Sequence, residues 1–202
     1  MRGLIAGVDE AGRGPIAGPV VAAAVILPPD VRFSYAVRDS KTLTARQRER
    51  AYEEILERAI AATWFSSDTS LIDSVNILQA TLHAMREAVS RLDPKPTLVL
   101  VDGPIAPRSG IEERAIVGGD GKELSIAAAS IVAKVVRDRI MCGLDSEHPV
   151  YGFARNKGYA TPEHLTAVER YGPCAAHRMS FAPFVPRRAG WHGVVARPSR
   201  PC

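Results

Sequence analysis

Residues 97–101 read Thr-Leu-Val-Leu-Val, an apolar run without alternation, broken off by Asp102-Gly103-Pro104. A strand that is apolar on both faces needs cover on both, so it belongs inside a sheet flanked by helices. The rest of the chain supplies that setting. Leu4–Asp9 and Val20–Leu27 read as two more strands, the second stopped by Pro28-Pro29. Thr44-Ala-Arg-Gln47 has the pattern of a capping box, and Ala51, Ile55, Ala59 and Ile60 carry a helix on to about Ala62. A second helix is expected from about Ser70 to Leu92, with Leu71, Val75, Leu78, Leu82, Met85 and Val89 on one face. A third, rich in alanine and valine and therefore internal, is expected over roughly Leu124–Met141, and Thr161-Pro162-Glu163 opens a last one. Strands alternating with helices make a mixed α/β domain around one central sheet.

Several classes drop out on composition. The longest apolar run, Ile16–Pro29, is 14 residues with prolines in it, too short to span a membrane. The N-terminus reaches acids within nine residues, unlike a secretory signal. Cys142, Cys174 and Cys202 form no close pair, which argues against a disulfide framework or a structural zinc site and suits a cytoplasmic protein. The net charge of +4 rests on Arg187, Arg188, Arg197 and Arg200 in a tail that holds no acid. Without that tail the acids and bases balance, so net charge does not argue for a polyanion partner. The expected organisation is one domain over residues 1–185 and an Arg/Pro/Gly-rich tail over 186–202, expected to be disordered.

Chemistry gathers at the strand ends. Asp9 and Glu10 close the first strand and Asp102 follows the apolar one, where α/β folds present their sites. Neighbouring strand residues face opposite ways, so Asp9 and Glu10 share a site only if the strand departs from its regular path there. The glycines at 7, 12 and 14 make such a departure cheap. Asp138 sits near the end of the internal helix, either as a surface partner of Lys134 four residues earlier or as a fourth acid of the same site. Two carboxylates about 4 Å apart repel by roughly 4 kcal/mol at an effective dielectric near 20. Divalent cations remove that cost, and an all-oxygen donor set points to Mg²⁺ or Mn²⁺. Two such ions are the arrangement of many nucleases.

Gly12-Arg13-Gly14 fits neither a P-loop nor a dinucleotide fingerprint. Glycines here let backbone groups approach a ligand closely. Beside metal-binding acids that ligand is the sugar next to the scissile phosphate, whose 2′-OH distinguishes RNA from DNA.

The stretches VDEAGRGPIAGPV, DSKTL (39–43), VDG (101–103), ASIVAKVVRDR (129–139), NKGYATPEH (156–164) and HRMSF (177–181), in this order, resemble ribonuclease HII. The likeness runs from about Ile5 to Val185. It implies a ribonuclease H-like fold, a mixed central sheet flanked by helices, with a helical C-terminal segment. It implies cleavage of the RNA strand of RNA–DNA hybrids and nicking of DNA 5′ of a single embedded ribonucleotide, leaving 5′-phosphate and 3′-hydroxyl ends. By this likeness Asp9, Glu10, Asp102 and Asp138 are the metal-binding acids for two Mg²⁺ or Mn²⁺ ions, and Gly12, Arg13 and Gly14 read the 2′-OH. Tyr159 stacks on the deoxyribose beyond the ribonucleotide, and Lys41 contacts the phosphate backbone. Where the family commonly has Lys-Gly-Asp, this chain has Gly118-Gly119-Asp120, which leaves the part played by Asp120 open. No sliding-clamp motif is recognisable, and a monomer is expected. His177 reads as structural, engaged in packing or hydrogen bonding.

Two other readings compete. A different nuclease of the same fold, a type 3 ribonuclease H or an integrase-like enzyme, would differ in its N-terminal domain or in cutting DNA that lacks a 2′-OH. A hybrid-binding module without catalysis would lack a carboxylate.

Overall fold

The structure is a computed structural model and describes residues 3–34, 37 and 42–185. Lys41, most of the DSKTL stretch and the tail 186–202 lie outside the described residues.

Five strands form one mixed sheet in the order β3-β2-β1-β4-β5. They are β1 (Ile5–Ala11), β2 (Val20–Ile26), β3 (Ala61–Ser67), β4 (Leu98–Asp102) and β5 (Glu112–Ile116). The first three run antiparallel to their neighbours as a meander, while β4 lies parallel to β1 and β5 parallel to β4. The run at 97–101 is thus an interior strand, with Val99 and Val101 fully buried.

Alternation along β2 sorts the core into two layers. Ala22, Ala24 and Ile26 face α3 (Ile77–Ser90), packing with Ala84, Met85 and Ala88. Val21, Ala23 and Val25 face α1 (Ala45–Arg58) and α4 (Leu124–Glu147). A Cβ on Gly7 would collide with the backbone of Ser125 and Ile126, so this glycine is what lets β1 and α4 touch. A third cluster joins the far end of α4 to α5 (Phe153–Asn156) and α6 (Pro162–Tyr171) through Met141, Phe153 and Ala167. This is the expected helical C-terminal segment.

The capping signals hold. Thr44 accepts from the backbone of Gln47 and the reciprocal bond is made, and Thr161 caps α6 with Pro162 in its first turn. Several boundaries move. The first helix stops at Arg58, and Ala61–Ser67 becomes edge strand β3. The helix expected over 70–92 is two helices, α2 (Thr69–Val75) and α3, parted at Asn76. Asn76 takes φ 71° and its side chain accepts from the backbone of Gln79, so the local cap outweighs the continuous apolar stripe. Val75, expected on that stripe, is exposed. The internal helix runs on to Glu147, and β5 is a strand that its polar composition concealed.

Candidate active site

The register of β1 and β4 pairs Val8 with Val101, so Asp9 and Asp102 stand one residue further on, at the carboxyl ends of two adjacent parallel strands. Pairing between β1 and β4 ends there, whereas β1 stays with β2 to Ala11. The expected departure at Asp9–Glu10 is therefore a parting from β4 within a continuing strand.

Asp9 is buried and turned toward α4, where Ser130 hydrogen-bonds its carboxylate. It also accepts the backbone N–H of Glu10 at 2.7 Å. Burial, and next the charge of Glu10, hold the Asp9 carboxyl well above the usual range, with Asp102 adding to the push. Burial also raises Glu10, partly offset by Arg13, whose Nη1 lies 3.3 Å from its Oε1. Asp102 accepts from the backbone of Gly119 at 2.6 Å, which draws in the 3₁₀ turn Gly119–Gly121 and with it Asp120. The Asp120 carboxylate accepts from Gly121 N–H at 3.0 Å.

Asp138 is not drawn into this group. Its Oδ1 lies 2.6 Å from Lys134 Nζ, the surface-pair alternative. It stands eight residues along α4 from Ser130, a rise of about 12 Å. Asp120 follows Gly119 on the turn that is bonded to Asp102.

The glycine loop owes its shape to two arginines that the sequence did not single out. Arg137 and Arg178 are 1% and 0% exposed. Arg137 donates to the carbonyls of Ala17, Pro19 and Lys157. Arg178 donates to those of Gly12, Arg13, Pro15 and Gly18. These carbonyl bonds offset the cost of burying two guanidinium groups. Burial and the nearby Arg137 push Arg178 down to about 9. Held by their carbonyls from beneath, residues 12–19 are set from the protein side. Gly12 has φ 99°, and a Cβ there would run into the Arg137 side chain, so glycine is required.

Tyr159 closes the arrangement. Its ring is half exposed and its Cε1 lies 3.6 Å from where a Cβ of Gly14 would be. A cleft of about 370 Å³ is lined by Glu10, Gly12, Arg48, Ser130, Lys134 and Tyr159, among others. One acid, Glu10, together with the glycine loop, cationic side chains and an aromatic face thus opens onto one space, with Asp9 buried behind Glu10. Arg48, Ser130 and Lys134 were missed because their spacing in the sequence gives no hint of convergence.

A family model for ribonuclease HII matches residues 6–184. Ribonuclease HII of Geotalea daltonii is 56% identical over 178 residues, covering 88% of this chain and 82% of that protein. The protein of the same name from Paraburkholderia xenovorans is 51% identical over 180 residues, 89% of this chain and 73% of that one. Among solved structures, ribonuclease H2 from Pyrococcus horikoshii has a TM-score of 0.75 at 26% identity, covering 90% of this chain and 95% of that one. Bst-RNase HIII, solved in complex with Mn²⁺, has a TM-score of 0.68 at 18% identity over 90% of this chain and 68% of its own, a likeness of fold.

Proposed function

The chain belongs to the ribonuclease HII family and is a hydrolytic endoribonuclease, and on that footing we propose that it cuts the RNA strand of RNA–DNA hybrids and nicks duplex DNA 5′ of a single ribonucleotide. The observation that carries this reading is the shared cleft: Glu10, whose neighbours Asp9 and Asp102 press on it electrostatically, opens beside a glycine loop and a half-exposed tyrosine. A binding module would have no use for buried acids that repel one another.

Nucleases of this family use divalent metal ions. The donors here fit such ions by chemistry, since Asp9, Glu10 and Asp102 are all oxygen ligands whose mutual repulsion a cation relieves. Among the described residues no three acidic, histidine or cysteine side chains close around an ion unaided. Mg²⁺ and Mn²⁺ suit that situation, because water and phosphate oxygens complete their shells. When bound, the ions supply Lewis acidity for in-line hydrolysis that leaves 5′-phosphate and 3′-hydroxyl ends.

We assign the ion-holding role to Asp9, Glu10 and Asp102, with Asp120 in place of Asp138. Gly12, Arg13 and Gly14 offer backbone groups to the 2′-OH, and Tyr159 stacks on the next sugar. Arg48 and Lys134 provide positive charge for the phosphates, joined by Lys41 from outside the described residues. We propose that it acts as a monomer and place the enzyme with its DNA in the cytoplasm. No helix among the described residues is long and apolar enough to cross a membrane.

Paired variants test the assignment of acids. Asp120→Asn is expected to lower Mg²⁺-dependent hydrolysis of a hybrid at least about a hundredfold, the scale of losing several kcal/mol of charge stabilisation. Asp138→Asn is expected to stay within a few-fold of the parent. The reverse order would restore Asp138 to the set and remove Asp120.

A further inference from the structure

His164 and His177 lie outside the cleft and are 0% and 2% exposed, boxed in by the rings of Tyr151, Phe153 and Phe184. Their ring nitrogens form one chain of hydrogen bonds. His164 Nδ1 lies 2.8 Å from the Tyr159 carbonyl, the two Nε2 atoms lie 3.1 Å apart, and His177 Nδ1 lies 3.0 Å from the backbone nitrogen of Cys174.

The two ends of this chain fix its direction. A carbonyl only accepts, so His164 Nδ1 carries the hydrogen. The Cys174 N–H only donates, and at 3.0 Å it is nearer to His177 Nδ1 than the Cys174 carbonyl and Sγ at 3.3 Å, of which the carbonyl already accepts the His177 backbone N–H, so His177 Nδ1 carries none. A neutral His164 therefore has a bare Nε2 and a neutral His177 a protonated one, and they meet as acceptor and donor. Both ends impose the same sense without reference to each other. A second proton on His164 would set two N–H groups against each other. Burial lowers the basicity of both rings, His177 to about 4, with His164 and His148 adding to the shift.

The chain of bonds spans the two halves of the cleft. At one end His177 bridges Ala17, and its neighbours bind the same loop: Gly18 N–H to Ala176 carbonyl and Arg178 N–H to Ile16 carbonyl. At the other end is the carbonyl of Tyr159, next to Gly158, whose own carbonyl takes the N–H of Ile16. Glycine loop, tyrosine segment and histidine pair thus close a ring. Because the Tyr159 ring is half exposed, its backbone sets its place.

We propose that His164 and His177 are positioning residues that fix the distance between the Tyr159 ring and the glycine loop, and so set the selection of an RNA–DNA junction without touching substrate. This rests on the stacking role given to Tyr159 above.

Two measurements on the full-length protein test it. Nitrogen-15 NMR at pH 7.5 should find His164 as the Nδ1–H tautomer and His177 as the Nε2–H tautomer; matching tautomers, or a charged ring, would overturn the proposal. His177→Asn keeps an acceptor for Cys174 and removes the link to His164, together with the ring contacts to Tyr151, Phe153 and Phe184. It should lower kcat/KM on a duplex with one ribonucleotide about tenfold, the scale of one hydrogen bond. Tyr159→Ala should also lower it, and the double variant should be no worse than Tyr159→Ala alone. An additive loss in the double variant would mean that His177 acts through stability alone and would overturn the proposal. If Tyr159→Ala cuts at the parent rate, the stacking role itself is wrong and the proposal goes with it. If Tyr159→Ala is impaired and His177→Asn is not, the stacking role stands and the positioning role is overturned.

Discussion

Asp9 is where the sequence spends stability for chemistry. Its carboxyl is buried beside Glu10 and Asp102, and without a cation its charged form is disfavoured. Its native pKa lies above the unfolded value, so between the two the folded chain binds the extra proton and stability falls as pH rises. Asp9→Asn removes that charge while keeping an acceptor for the Glu10 N–H. In chelator the variant should therefore melt above the parent, by about 2–4 °C for each kcal/mol relieved, and the gain should widen as pH rises above the ordinary aspartate range. Adding Mg²⁺ should raise the melting temperature of the parent and leave the variant unmoved. A variant that melts lower at pH 8 in chelator would show that Asp9 supports the fold rather than straining it. The presence of Asp9, Glu10 and Asp102 near strand ends was legible in the sequence, because acids after apolar runs stand out. Choosing between Asp120 and Asp138 was not, since Asp120 is tied to Asp102 only through a tertiary bond from the neighbouring Gly119.

Among the elements, the loop over residues 12–19 depends most on distant parts of the chain. Arg178 reaches four of its carbonyls with one planar, branched donor set, which a lysine cannot reproduce. Arg178→Lys should cost about 2–4 kcal/mol in thermal or urea unfolding, as several buried carbonyls lose their partners. Cutting at a ribonucleotide should fall even at temperatures where the variant is fully folded. Unchanged stability and rate together would mean that the carbonyl bonds are incidental. Local signals served well where a local bond decides the structure, as at the Thr44 capping box and the Thr161 cap. They failed where a cap competed with an apolar stripe, as at Asn76, and where an edge strand had little pattern, as in Glu112–Ile116. The buried arginines belong to the same group: the sequence shows Arg137 and Arg178 in quoted stretches, but only folding puts them under the loop.

On the scale of the whole molecule, the mixed sheet opens its site where β1 parts from β4, and the C-terminal helices bring Tyr159 over that opening. The interior strand at 97–101 was enough to require a covered sheet, while the strand order needed the structure. Under the proposed role of the glycine loop, the group that reads the 2′-OH lies beside Glu10, so the cut should fall next to the group being read. The most direct test takes a labelled DNA duplex with one ribonucleotide and its all-DNA twin in Mg²⁺, in Mn²⁺ and in chelator. The account predicts one metal-dependent nick on the 5′ side of the ribonucleotide, with the twin intact. Cutting of both duplexes would contradict the reading of the glycine loop, and binding without cutting would contradict the role given to the acids.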